Sequence, residues 1–175
     1  EIYTPAAHGL RLWDAVSAAG AAHGLVPAGR LAFNSLRTEK GYVSWGADVT
    51  RENTPADAGL GFAVKEDPAA KPTRFTGRDA LAERPSRGMS LVTFVSRLDA
   101  GTPEAGSPVL VGDATGWVTG ADAGYVTAQT VGTAWVPAEH AAPGTTLRIS
   151  RFDRDIDAVI VDGPVDDPAG LRIRR

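Results

Sequence analysis

Cysteine is absent from the 175-residue sequence. Its absence excludes disulfide bonds, zinc sites built from thiolates and cysteine nucleophiles, and it favours a cytoplasmic location over an oxidising compartment. Histidine is also scarce, with three residues in all. Neither His8 nor His23 has a partner at the spacing of a metal site. The sequence therefore predicts no metal site.

Long apolar runs are missing as well, since no segment approaches the roughly 18 residues that a membrane-spanning helix needs. The net charge is -3 and the pI about 5.6, so no strong positive field attracts nucleic acid or an anionic membrane. No phosphate-binding loop, dinucleotide-binding glycine motif, zinc-protease motif or serine-hydrolase motif occurs. A content of 43% hydrophobic and 22% charged residues indicates a soluble globular protein whose partners include neither nucleic acid nor a membrane.

The first residue is Glu1 rather than methionine, and no signal-like segment follows it. Residues 1–4 have the pattern of a strand whose earlier part is missing, which predicts a fragment or a processed product. A domain that is cut in this way exposes part of its core. We therefore expect the chain to self-associate or to stay bound to a missing N-terminal part of the same protein.

Two helices are predicted near the N-terminus. Apolar residues such as Trp13 and Val16 recur at spacings of three and four over residues 6–22, which is the period of a helix with one apolar face. A second helix is predicted over residues 30–40. It is expected to end at Gly41, because glycine is favoured just past the last helical residue.

A strand, a linker and a short helix are expected next. Residues 58–64, A-G-L-G-F-A-V, are predicted to form a strand whose two glycines permit the close approach of a ligand or another backbone. A polar linker is predicted over 66–73, and a short helix is predicted to begin at Gly77 or Arg78. Helices mixed with strands in this half of the chain indicate an α+β fold.

The second half of the chain has the pattern of a small all-β domain. Short segments that alternate apolar and polar residues are separated by glycine and proline turns, which predicts an antiparallel barrel or sandwich. The predicted strands cover residues 89–95, 108–111, 116–119, 130–136, 147–150 and 156–161. We place the boundary at Pro85, which gives two domains, 1–84 and 85–175.

One long motif carries a family resemblance. It reads S-L-R-T-E-K-G-Y-V-S-W-G-A-D from Ser35, and it continues as E-N-T-P-A-D-A-G-L-G-F-A-V-K up to Lys65. It resembles the aminomethyltransferase (glycine cleavage T-protein) superfamily. The similarity is closest to the folate-binding C-terminal region of dimethylglycine and sarcosine dehydrogenases and oxidases. The motifs F-T-G-R-D-A-L, P-V-L-V-G-D-A-T-G-W-V-T-G and D-P-A-G-L-R-I-R-R extend the resemblance along the chain.

The resemblance implies both a fold and a function. The fold would be the C-terminal part of a folate-binding T-protein-like domain followed by a small antiparallel β-barrel. The reaction would transfer a one-carbon unit from an N-methyl amino acid of the dimethylglycine and sarcosine class to tetrahydrofolate. The family's catalytic aspartate would lie upstream of Glu1, as would an FAD-containing domain. The parent protein is thus expected to be an enzyme, whereas this chain by itself is not expected to turn over substrate.

The resemblance also implies folate contacts in this chain. Glu1 stands at the position of the family's pterin-binding glutamate, and a carboxylate accepts two hydrogen bonds from the edge of a pterin. Tyr42 and Trp45 offer flat surfaces on which the pterin or aminobenzoate ring would stack. Packing in the core or at an interface is the alternative for both aromatic residues.

Two cations on the second predicted helix are further candidates. Arg37 and Lys40 would pair with the folate tail, or they would form ion pairs with Glu39 or another nearby acid. No catalytic residue is predicted among the residues of this chain. The predicted cofactor site thus consists of Glu1, Tyr42, Trp45 and Arg37.

Phe33 distinguishes the chain from many members of the family. Glycine cleavage T-proteins usually carry an arginine at this position, and a benzyl group cannot orient a carboxylate as a guanidinium does. The substitution favours the dimethylglycine and sarcosine branch. Three alternatives remain: a glycine cleavage system T-protein, a folate-dependent demethylase acting on sulfur or oxygen methyl groups, and a non-catalytic folate-binding or scaffolding module.

Overall fold

The computed structural model describes residues 1–64, 75–84, 86–152, 154–172 and 174. The chain divides into two compact units, Glu1–Phe33 and Asn34–Arg175. The predicted linker over 66–73 and the boundary residue Pro85 lie outside the described residues, so the domain boundary at 84/85 stays a prediction. Within the described part of the chain, no helix is long and apolar enough to cross a membrane.

The first unit is helical. A 3-10 turn at Ala6–His8 leads into helix α1 (Gly9–Ala21), which confirms the helix predicted over residues 6–22. The apolar stripe is present, yet α1 buries none of its residues, and Trp13 and Val16 are exposed. The strand predicted over residues 1–4 is wrong, because this segment is exposed and irregular. A strand needs a neighbour to bond its backbone groups, and no strand among the described residues pairs with it.

Helix α2 (Arg30–Glu39) begins in the first unit and ends in the second. Its end has a defined cap: the Gly41 amide donates to the Thr38 carbonyl over 3.0 Å, and the Tyr42 amide donates to the Arg37 carbonyl over 2.9 Å. This pair of bonds is the Schellman motif. The motif requires the left-handed backbone conformation at the first residue past the helix cap. Gly41 supplies it with a φ of 69°. The prediction that α2 ends at this glycine is confirmed.

The strand predicted over residues 58–64 is also wrong. The segment forms tight turns and a 3-10 helix at Gly61–Ala63. Gly59 has a φ of 71°, and the Leu60 amide donates back to the Pro55 carbonyl over 2.7 Å, so the backbone folds on itself instead of extending. A short helix, α3 (Arg78–Glu83), follows where it was predicted.

The second half of the chain is a closed antiparallel barrel. All six predicted strands are present: the second is unchanged, the third is longer by seven residues, and the others are longer by one or two. They are β1 (Met89–Arg97), β2 (Pro108–Val111), β3 (Ala114–Gly124), β4 (Gln129–Pro137), β5 (Thr146–Ser150) and β6 (Asp155–Val161). Their order around the barrel is β1-β4-β3-β2-β5-β6. Closure of β6 onto β1 decides between barrel and sandwich, and it leaves no strand with an unpaired edge.

The barrel interior contains the main apolar core. Along β6, Ile156, Ala158 and Ile160 are buried while the residues between them face outward. Phe94 on β1 and Leu147 on β5 are fully buried in the same core. This alternation is the period of two that a strand imposes on its side chains. The barrel thus provides a rigid wall against which the preceding loops pack.

Candidate functional site

A buried carboxylate joins the loop after α2 to the outer wall of the barrel. Asp48 Oδ2 accepts hydrogen bonds from Arg37 Nη1 over 2.8 Å and from the Ser44 amide over 2.7 Å. Its Oδ1 accepts from the hydroxyls of Thr119 over 2.6 Å and Thr133 over 2.9 Å. Both oxygens are fully bonded, so the charge is compensated although the side chain is inaccessible to water.

The backbone of Tyr42 is held at both of its polar groups by one residue. Its amide donates to the Arg37 carbonyl, and its carbonyl accepts from Arg37 Nη1 over 2.9 Å. Since Asp48 fixes the same Nη1, the buried carboxylate indirectly fixes the loop residue. Tyr42 therefore has a rigid backbone, while its side chain remains 55% exposed.

A cavity of the second unit lies beside Tyr42, on the outer wall of the barrel. Its volume is about 860 Å³, and its lining includes Tyr42, Leu60, Phe62, Leu91 and Pro143. Phe62 is 85% exposed, and together with Tyr42 and the other apolar lining residues it forms a contiguous apolar surface of the kind that marks a ligand or partner site. Two open aromatic rings on a mostly apolar wall suit a flat, partly apolar ligand.

Trp45 and Glu1 are both exposed. Trp45 is 71% exposed, and it is not among the residues that line this cavity. Glu1 belongs to the first unit, where it is exposed and its carboxylate accepts a hydrogen bond from the Tyr3 hydroxyl. Of the three predicted folate contacts in the second unit, Tyr42 lines this cavity, and Arg37 and Trp45 do not.

Arg37 within α2 and Lys40 just after it each pair with an acid outside the helix. Arg37 pairs with Asp48, and Lys40 Nζ lies 2.7 Å from the Asp167 carboxylate. Glu39 bonds to neither cation. Its buried Oε1 instead accepts from the amides of Val126 and Thr127 over 3.1 and 2.9 Å.

Phe62 is the site residue that the sequence reasoning missed. The motif G-L-G-F was interpreted as a strand, in which an aromatic residue after glycine would pack against a neighbour. In the structure the same residues form a turn, and the ring is left on the surface. The combination of two glycines with one aromatic residue was the available signal, because it is also typical of a loop that presents a ring to a ligand.

The fold and the cavity define an α+β protein whose C-terminal barrel carries an open cavity lined in part by aromatic residues. Residues 1–68 match the model of the GCVT N-terminal domain, and residues 90–167 match that of the glycine cleavage T-protein C-terminal barrel domain. The two matches follow each other in the same order as the two predicted domains. The chain belongs to the aminomethyltransferase (glycine cleavage T-protein) family.

Individual relatives agree with this assignment. The chain is 35% identical to an aminomethyltransferase of Symbiobacterium thermophilum over 94% of its own length and 44% of the relative's. It is 36% identical to an aminomethyltransferase of Streptomyces avermitilis over 83% of its length and 40% of the relative's. The chain therefore spans less than half the length of these relatives.

A solved structure shares the fold. It is the glycine cleavage system aminomethyltransferase T from Bartonella henselae, with a TM-score of 0.68 and 24% identity over 78% of this chain and 38% of that chain. This similarity supports the architecture described above.

Proposed function

We propose that the protein containing this chain transfers a one-carbon unit to tetrahydrofolate, and that this chain supplies part of the folate site. The observation that carries the proposal is the cavity beside Tyr42, in a chain that matches aminomethyltransferase domains over both of its halves. The cavity presents two exposed aromatic rings, Tyr42 at the end of the S-L-R-T-E-K-G-Y motif and Phe62 in G-L-G-F. Within this site the residues of the chain bind and orient, and we assign them no proton transfer.

The cavity fits the rings of a folate better than its charged tail. Its volume lies within the roughly 300–1,000 Å³ of small-molecule sites, and Tyr42 and Phe62 would hold the pterin or aminobenzoate ring by stacking. Lys40 also lines the cavity, but its ammonium group is already bonded to Asp167. Tetrahydrofolate would supply the amine nitrogen that accepts the one-carbon unit.

Glu1, Trp45 and Arg37 remain proposed folate contacts on the strength of the family resemblance. Arg37 Nη1 is bonded to Asp48 and Tyr42, so a folate contact would use another nitrogen of the guanidinium group. We propose that its main contribution is to hold Tyr42. Glu1 would contact the pterin edge only in the intact protein, with the missing N-terminal part as the partner of this chain.

Calorimetric titration with 5-formyltetrahydrofolate, a stable reduced folate, tests the cavity. The wild-type chain is expected to bind, and Tyr42→Ala and Phe62→Ala are each expected to weaken binding about 3- to 10-fold, the value of one aromatic contact. Tyr125→Ala is the matched control, because Tyr125 is also exposed but lies outside the cavity. Absence of binding by the wild-type chain, or equal loss in the control, would contradict the proposal.

We propose further that the one-carbon donor is an N-methyl amino acid of the dimethylglycine and sarcosine class, and that an FAD domain oxidises it. Phe33 in F-N-S-L-R supports this finer assignment, while the relatives above are named only as aminomethyltransferases. The test is methylenetetrahydrofolate formation by the full-length protein from dimethylglycine or sarcosine. A requirement for an aminomethyl-carrying partner protein would instead support a glycine cleavage T-protein.

Two other outcomes identify the remaining alternatives. Methyl-folate as the product would indicate a demethylase acting on sulfur or oxygen methyl groups. Folate binding without turnover of any donor would indicate a non-catalytic module. A cytoplasmic location stays a prediction that rests on the absence of cysteine.

A further inference from the structure

The C-terminal segment, residues 164–172, crosses the end of α2, and we call it the strap. The amides of Val165 and Asp166 donate to the carbonyl of Glu39 over 3.1 and 2.9 Å. The last carbonyls of a helix lack partners within the helix. The strap therefore satisfies a carbonyl at the C-terminus of α2 that the Schellman cap leaves open.

A partly buried ion pair fastens the strap. Lys40 Nζ lies 2.7 Å from both the carboxylate and the carbonyl oxygen of Asp167. The side chains of Lys40 and Asp167 are only 15% and 8% exposed, in contrast to the exposed pair between Arg97 and Asp99. The Asp167 carboxylate also accepts from the amide of Leu171 over 2.9 Å. The pair thus organises the strap itself as well as its attachment.

The strap contacts the residue that precedes Tyr42. A Cβ atom at Gly41 would lie 3.3 Å from Pro164 Cγ and 3.4 Å from Pro164 Cα, so the strap packs directly on the glycine that turns the chain out of α2. Pro164 and Tyr42 both line the 860 Å³ cavity. Displacement of the strap would consequently change both the turn that precedes Tyr42 and a part of the cavity lining.

We propose that the strap is a positioning element for the ligand cavity, in which the Lys40–Asp167 pair fixes the direction of the Tyr42 side chain. Lys40 and Asp167 act through Gly41 and Pro164 and are positioning residues. The inference depends on the proposed function only for the identity of the ligand as a folate. The placement of Tyr42 by the strap holds whatever flat ligand the cavity takes.

Fluorine NMR on protein labelled with 3-fluorotyrosine measures this placement without any ligand. The sequence has three tyrosines, so three resonances are expected, and the one missing in Tyr42→Phe identifies Tyr42. Lys40→Met and Asp167→Asn are expected to shift or broaden this resonance and to leave that of Tyr125 unchanged. Asparagine is chosen because Asp167 has a φ of 46°, a conformation that asparagine also tolerates.

Two further variants separate positioning from general destabilisation. Arg97→Met removes an ion pair of the same type at the surface and is expected to leave all three resonances unchanged. Lys40→Arg retains a cation for Asp167 and is expected to restore the Tyr42 resonance toward its wild-type position. An unchanged Tyr42 resonance in folded Lys40→Met and Asp167→Asn proteins would overturn the inference. Should either variant fail to fold, Pro164→Ala, which removes the ring atoms that lie against Gly41 and leaves the α2 cap intact, provides the same test from the strap side of the contact.

Titration of the same variants with 5-formyltetrahydrofolate gives a second readout. If the wild-type chain binds, Lys40→Met and Asp167→Asn are expected to raise the Kd about 3- to 10-fold, as removal of the Tyr42 contact does. Wild-type affinity in both variants would count against positioning. Failure of the wild-type chain itself to bind would contradict the proposed function, and the fluorine resonances would still test the strap.

Discussion

The barrel interior and the polar seam outside it are held together by opposite kinds of chemistry. The interior contains apolar side chains such as Phe94, Leu147 and Ile156. The polar seam, which we define as Ser35, Thr38, Glu39 and Asp48 with their partners, attaches the end of α2 and its loop to the barrel through buried polar groups. The Ser35 hydroxyl, for example, donates to the Ala123 carbonyl over 2.6 Å.

The difference shows where geometry is specified in this molecule. An apolar core tolerates exchange of one aliphatic side chain for another of similar volume, whereas a buried polar contact holds only in one arrangement. The polar seam positions Tyr42 through Arg37 and Asp48. The candidate site therefore lies beside the polar seam, where the contact geometry is most strictly specified, and the barrel supplies the rigid support.

The largest effect is expected in the barrel interior. Phe94→Ala should lower the free energy of unfolding by about 3–5 kcal/mol, because Phe94 is fully buried and its removal leaves a cavity in a closed barrel. Urea unfolding measures the change. Trp13→Ala on the exposed helix α1 is the control and should stay within about 0.5 kcal/mol. A comparable loss in both variants would mean that the barrel is not the main source of stability.

Asp48→Asn tests the polar seam and is expected to come next. The substitution removes the charge that compensates Arg37 and places an amide group against donors, which should cost about 3 kcal/mol, the lower end for a broken buried pair, since Arg37 is partly exposed. Asp99→Asn in the exposed pair with Arg97 should cost well under about 1 kcal/mol. Equal stabilities of the two variants would refute the importance of the seam.

Glu39→Gln should have a smaller and more local effect. The glutamine oxygen can still accept from Val126 and Thr127, but a bond to a charged acceptor is replaced by one to a neutral acceptor, at a cost of about 1 kcal/mol. Hydrogen exchange is expected to accelerate at these two amides before it does so in the strands. Uniform acceleration across the barrel would show that Glu39 supports the whole fold instead.

The smallest effect concerns pH. Hydrogen bonding and charge from Lys40 lower the pKa of Asp167 from 3.8 to about 2. A carboxyl group with a lowered pKa contributes stability that is complete above its ordinary value and is lost as the pH falls toward the lowered value. The urea midpoint of the wild-type chain should thus exceed that of Asp167→Asn at about pH 5 and approach it near pH 2 to 3. A constant difference across this range would contradict the assignment.

Much of the fold was predictable from sequence because its signals are local. The period of two in β6 and the helical period of α1 each arise within a single segment, and Gly41 marks the end of α2 by its own backbone preference. The wrong predictions concern segments 1–4 and 58–64. Both have strand-like composition, but a strand also requires a neighbouring strand, and that is not a local property.

The candidate site was only partly predictable for the same reason. The family motif suggested Tyr42, which lines the cavity, and Trp45, which does not, and it gave no sign of the lining residue Phe62.

By itself, the sequence determined the order of helices and strands, the apolar faces of the barrel and the family to which the chain belongs. The tertiary structure alone decided that the barrel closes, which ring faces the cavity, and which acid each cation binds. Lys40 and Asp167 are 127 positions apart, and Asp48 meets Thr133 across 85 positions. The specificity of such pairs comes from the spatial arrangement of the whole chain. Residue type and local spacing do not distinguish the acid that binds a given cation from the other acids in the sequence.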